Sequence, residues 1–104
     1  KYLRGMNEGR LIGAWALTEP GAGSDAAHIS TSAELRGDEW VINGQKMWIT
    51  NGSFADVIIV HAVTDKAKGA RGGISAFIVE KDRPGFHVGK IEEKMGLRAS
   101  HTAS

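Results

Sequence analysis

The chain contains no cysteine in its 104 residues. That excludes disulfide crosslinks, thiolate metal ligands and a cysteine nucleophile. Proline is scarce, with Pro20 and Pro84 alone. Neither sign of charge is in excess: 13 Lys and Arg against 12 Asp and Glu leave a formal charge of +1. A chain so balanced carries no basic footprint for nucleic acid. No apolar run approaches the roughly 18 residues that a membrane-crossing helix needs, so no membrane span is expected. Four histidines, His28, His61, His87 and His101, are scattered without metal-ligand spacing, and no metal site is expected. The chain opens on Lys1 and closes on "SHTAS" in mid-pattern. We expect both ends to be cuts in a longer protein.

What the chain does have is punctuation. Fourteen glycines separate short apolar runs. "RLIGAWALT" (10–18), "STSAEL" (30–35), "ADVIIVHAVT" (55–64) and "GISAFIVE" (73–80) read as strands, with "GFHVGKIE" (85–92) a weaker one. The run at 55–64 is the most apolar and suits a central strand. Within "EWVINGQKMWIT" (39–50), Asn43-Gly44 reads as a hairpin turn, because such a turn needs positive φ at its centre. Only "KYLRGMNEG" (1–9) has helical spacing. The expectation is an all-β fold, a small barrel of about six short strands, preceded by the end of a helix.

Two stretches carry candidate chemistry. In "LTEPGAGSD" (17–25), Gly21 and Gly23 let the backbone approach a ligand, and Thr18 and Ser24 add hydroxyls. Asp25 stands where it could cap a short turn through "AAH". The loop suits a phosphate or the polar edge of a flat ring; a plain structural turn fits as well. It is neither a Walker loop nor a dinucleotide fingerprint, since the following residues of both are missing. In "GQKMWITNG" (44–52), Trp48 and Thr50 fall on one face of an extended chain. An indole beside a hydroxyl can stack on a flat ring and bond its edge. A wall tryptophan and a strand-end threonine fit the same pattern. The basic loop of Lys66, Lys68 and Arg71 reads as a solvated surface rather than a phosphate site.

Taken together, "ALTEPGAGSD", "VINGQKMWITNG", "ADVIIV", "ISAFIVEKDRPGF" and "KMGLRASHTA" span Ala16 to Ala103 in order. With these segments the chain resembles the middle β-domain of the acyl-CoA dehydrogenase flavoproteins. The resemblance implies that residues 1–9 end an upstream helical domain and that residues 10–104 form the middle barrel, short of its last strand. It implies FAD as cofactor. The first binding stretch would be Trp15, Ala16, Leu17, Thr18, Glu19, Pro20, Gly21, Ala22, Gly23 and Ser24. Trp48, Ile49 and Thr50 would be the second. Thr18 would bond the pyrimidine edge of the isoalloxazine, and Thr50 would bond N5, the atom that accepts hydride. Ser24 would lie near the pyrophosphate and touch the acyl-CoA substrate.

The implied reaction is α,β-dehydrogenation of an acyl-CoA thioester. In such enzymes the catalytic glutamate comes from a C-terminal helical domain, so no catalytic residue is expected here. Glu19 is read instead as an acid that bonds local backbone N–H groups. The resemblance further implies a homotetrameric parent and an electron-transferring flavoprotein as acceptor. It places the parent in the cytoplasm of a bacterium or the mitochondrial matrix of a eukaryote. An acyl-CoA oxidase-type domain and a non-catalytic β-barrel binding module are the alternatives.

Overall fold

The computed structural model describes residues 1–104. It opens with a helix, α1 (Tyr2–Asn7). Strands follow in the order β1 (Gly13–Ala16), β2 (Ser32–Arg36), β3 (Glu39–Asn43), β4 (Ile49–Thr50), β5 (Val57–Val63), β6 (Ile74–Glu80) and β7 (Thr102–Ala103). β5 takes the central position expected of it. Its β-branched residues suit a pleated, buried surface. β1 pairs parallel along its first half, Gly13 with Val57 through Ala16 with Val60. β6 pairs antiparallel along its whole length, Val57 with Glu80 through Val63 with Ile74. β2 joins only at its end, Ser32 with Val63, and carries β3 as an antiparallel hairpin.

That hairpin corrects one expectation. Its turn is at Gly37-Asp38, between Arg36 and its partner Glu39, with Gly37 at φ +62°. Asn43-Gly44 is no turn: Asn43 is the last β3 residue and pairs with Ser32. Gly44 serves packing instead. A Cβ there would lie 2.4 Å from Thr31 Oγ1 and 2.7 Å from Thr31 Cα. Glycine is required by closeness, not by hairpin chemistry.

A second, two-stranded sheet pairs Ile49 with Ala103 and Thr50 with Thr102. β7 lies outside the strands read from the sequence. The weak run at 85–92 forms no strand. It runs beside β7, held by Gly89 N to Ser104 O (2.6 Å), Ser104 N to Lys90 O (3.0 Å) and Glu92 N to Thr102 O (2.8 Å). One bridge, Ile91 with Ala103, results. The fold is therefore built mostly of strands, as expected, but its two sheets do not close into a barrel.

Ala16, Ile49, Ala55 and Ile58 form the buried cluster between the sheets, with Ala14, Val60 and Phe86 against it. Only 14 of 104 residues are buried, so this core is thin. Beside it an open groove of about 1000 Å³ runs past Ile42, Val60, Phe77 and Phe86. The α1 helix has too few residues to persist alone in water. It is anchored by Lys1 Nζ and Tyr2 OH, which donate to Glu80 at 2.6 and 3.0 Å.

Gly44→Ala should destabilise the fold by about 1–3 kcal/mol through overpacking against Thr31. Gly21→Ala, whose Cβ meets nothing within 4 Å, should stay within about 0.5 kcal/mol of the parent. Denaturant unfolding of the two variants checks this; equal midpoints would contradict it.

Candidate cofactor-binding site

The loop after β1 begins with a tight turn. Glu19 N donates to Ala22 O at 2.9 Å and Ala22 N to Glu19 O at 3.1 Å. Pro20 sits second in this turn, where its fixed φ is already suitable. Gly21 is not left-handed, and a Cβ on Gly21 or Gly23 would meet no atom within 4 Å. The fold itself asks for neither glycine. Both leave bare backbone on an open surface.

Below the turn, Glu19 is 4% exposed. Its carboxylate accepts from Ser30 N (2.6 Å), Ser30 Oγ (2.7 Å) and Thr31 N (3.0 Å). The backbone bonds expected for this acid are present. The cation that completes the cluster was not foreseen: Lys46 Nζ donates to Glu19 Oε1 at 2.8 Å and to Leu17 O at 3.0 Å. The sequence holds only a partial signal, which needs the burial of Glu19 to be read. Lys46 is the single Lys or Arg between Arg36 and Lys66, and a buried acid needs a cation. Burial works against ionising Glu19, but the hydrogen bonds from Lys46, Ser30 and Thr31 outweigh it. They hold the carboxyl far below the usual carboxylate range.

The second stretch is tied to the first. Met47 N donates to Thr18 O at 2.8 Å. Trp48 follows at φ +57°, and Asn51, three residues on, is at φ +63°. Left-handed backbone is uncommon for residues other than glycine, and such strain collects at functional sites. The extended alternation expected across Trp48–Thr50 is thus broken at Trp48. Trp48 and Thr50 are nonetheless both exposed, with Ile49 buried between them. On the far side, Asn51 N donates to His101 O (2.9 Å), and Phe54 N and Ala55 N donate to Asn51 O (3.1 and 2.8 Å).

The thirteen candidate residues divide by orientation. Ala16, Glu19, Ala22 and Ile49 are buried, so their side chains serve the fold. Leu17 and Thr18 are half-buried; Trp15, Pro20, Gly21, Gly23, Ser24, Trp48 and Thr50 are exposed. Trp15 lies apart from the loop in β1. Its indole N–H donates to His61 Nδ1 at 3.2 Å. Its neighbours across the sheet are Ile59 and Ile78, and all three are exposed. Asp25 does not cap the short turn Ala26–His28; its carboxylate lies 2.6 Å from His28 Nδ1 instead. In the basic loop, Lys68 pairs with Asp65 at 3.1 Å.

The exposed Ser24 and Thr50 hydroxyls, the bare glycine backbone and the exposed Trp48 indole are groups that can serve a flat ring with polar edges. A family profile described as acyl-CoA dehydrogenase, middle domain, matches residues 14–104. The short-chain-specific acyl-CoA dehydrogenase of Clostridium acetobutylicum is 53% identical over 98% of the chain and 27% of its own length. The crystal structure of an acyl-CoA dehydrogenase from Geobacillus kaustophilus matches with a TM-score of 0.93 at 52% identity, over 98% of this chain and 27% of that one. A glutaryl-CoA dehydrogenase from Mycobacterium smegmatis, in complex with FADH2, matches with a TM-score of 0.88 at 45% identity, over 98% and 25%. The chain spans about a quarter of the length of these relatives.

Glu19 sets a pH dependence of stability. Its folded pKa lies below the ordinary value of 4.5. Its contribution is therefore complete above about pH 4.5 and is lost as pH falls below that toward the folded value. Unfolding midpoints measured from about pH 6 down to about pH 3 should fall more steeply for the parent than for Glu19→Gln. Parallel profiles would contradict the assignment.

Proposed function

As this chain belongs to the acyl-CoA dehydrogenase family, we propose that it forms the FAD-facing wall of a flavoenzyme that removes the α and β hydrogens of an acyl-CoA thioester. The observation that carries the reading is the direct bond between the two stretches, Met47 N to Thr18 O at 2.8 Å. It ties Thr18 to Met47, the residue directly before the strained Trp48. The FADH2 complex of the mycobacterial relative supports FAD as the group held.

Bound flavin supplies the two-electron acceptor. Thr18 would hold the pyrimidine edge, Trp48 would pack beside the ring system, and Thr50 would bond N5. Ser24 lies toward the pyrophosphate and the thioester. Gly21 and Gly23 let backbone N–H groups come close. Glu19 is no general base: it is buried, and its carboxylate is engaged by Ser30, Thr31 and Lys46. A base must reach the proton it removes, so the α-proton is taken by a carboxylate outside this chain.

In this reading residues 1–9 end an upstream helical domain. Residues 10–104 are the middle domain without its last strand. The partners are an acyl-CoA, the flanking helical domains, further copies in a homotetramer, and an electron-transferring flavoprotein as acceptor. The compartment is bacterial cytoplasm or mitochondrial matrix. No helix here is long and apolar enough to cross a membrane.

In the full-length protein loaded with FAD, a short acyl-CoA should bleach the visible flavin absorbance. Thr50→Ala should slow that bleaching by about ten-fold or more, the scale for losing one preorganised donor, with its unfolding midpoint unchanged. No bleaching by any acyl-CoA would contradict the function. An unchanged rate in Thr50→Ala would remove Thr50 from its role.

A further inference from the structure

Lys46 lies inside "GQKMWITNG" without a role assigned to it there, yet it is the least exposed of the ion-paired cations. Its side chain is 10% exposed. One amine reaches Leu17 O at 3.0 Å and Glu19 Oε1 at 2.8 Å. Leu17 directly precedes Thr18, and Lys46 stands two residues before Trp48. A single buried group thus grips the first stretch at its backbone and at its turn, while its own chain leads into the second.

Fold stability alone does not call for this arrangement. Replacing a buried ion pair with neutral groups of similar size is often neutral or stabilising, whereas removing one partner is costly. A left-handed tryptophan persists only where its surroundings over-determine it. On the far side of Trp48 that work falls to Asn51 N, bonded to His101 O, and to the pairing of β4 with β7. On the near side it falls to Met47 N, bonded to Thr18 O, and to Lys46. Without Lys46 the near side keeps one backbone bond.

We propose that Lys46 is a positioning residue for the flavin: by bridging Leu17 and Glu19 it fixes the spacing between Thr18 and the Trp48–Thr50 stretch. Lys46 touches no cofactor atom in this role. It acts through the two stretches, so the inference rests on the function proposed above. A merely structural lysine would affect flavin binding only as far as it affects folding. A positioning lysine affects it beyond that.

The test uses the full-length protein and three variants: Lys46→Met, the neutral pair Glu19→Gln/Lys46→Met, and Val57→Ala. Val57 is buried at the opposite end of β1, paired with Gly13, and reports general loosening. Two readouts are taken. One is FAD affinity of the flavin-free protein, by titration. The other is amide hydrogen exchange in peptides covering residues 17–22 and 46–52, without flavin.

In Lys46→Met both peptides should exchange at least about ten-fold faster, and FAD affinity should fall at least about ten-fold. In the neutral pair, folding should recover while FAD affinity stays low. Val57→Ala should leave both peptides and FAD affinity within about two-fold of the parent. Should Lys46→Met fail to fold, the neutral pair and Val57→Ala carry the same comparison. Recovery of FAD affinity in step with folding in the neutral pair would overturn the proposal. So would unchanged exchange and affinity in Lys46→Met. A parent protein that takes up no FAD would overturn the function proposed above. The exchange readout would then still decide whether Lys46 holds the two stretches together.

Discussion

A buried carboxylate must be matched by donors, and in this chain meeting that demand organises the surface around it. Glu19 lies under a tight turn and draws in the Ser30 backbone and hydroxyl, the Thr31 backbone and the Lys46 amine. With Glu19 itself, the cluster draws on three places in the sequence: the loop after β1, the approach to β2 and the chain between β3 and β4. The close passage of Gly44 against Thr31 belongs to the same knot, since Thr31 is both a donor to Glu19 and the residue that Gly44 must pass. The loop, the hairpin and the strained tryptophan are held where they are because one acid is buried among them.

The rest of the fold is a platform with little to spare. β5 is hydrogen-bonded on both sides, yet half of the four-residue buried cluster is alanine, Ala16 and Ala55 beside Ile49 and Ile58. On the other face, Trp15, Ile59 and Ile78 line up across three strands in the open. The core is thin, and both a groove and an apolar row lie open to solvent. A sheet of this kind supplies position, while the loops at its end supply function. The short β4 illustrates the division: Ile49 locks into the core and leaves Trp48 and Thr50 outside.

Much of this was legible in the residues. β5 and β6 were readable because long β-branched runs admit few alternatives. The two candidate stretches were marked out by the family resemblance rather than by their residue types, since glycine and hydroxyl residues are also what plain turns use. Three features were not legible. Asn43-Gly44 carries a hairpin signature, but glycine is also the answer to close packing, and only the fold says which constraint operates. β7 is two residues long and exists by pairing with β4, a contact across half the chain that no local pattern records. The Glu19–Lys46 pair spans 27 residues; Glu19 was readable as an acid that bonds local backbone, but its meeting with Lys46 depends on the β2–β3 hairpin folding back.

The central claim is that Glu19 and Lys46 act as one unit. A double-mutant cycle of denaturant unfolding on Glu19→Gln, Lys46→Met and the two combined measures this directly. The account predicts that Lys46→Met costs about 3–5 kcal/mol, because it strands a buried carboxylate. It predicts that the combined variant costs less than the sum of the single variants by about 2 kcal/mol or more. Additive single effects, within about 0.5 kcal/mol, would show two independent side chains and contradict the account.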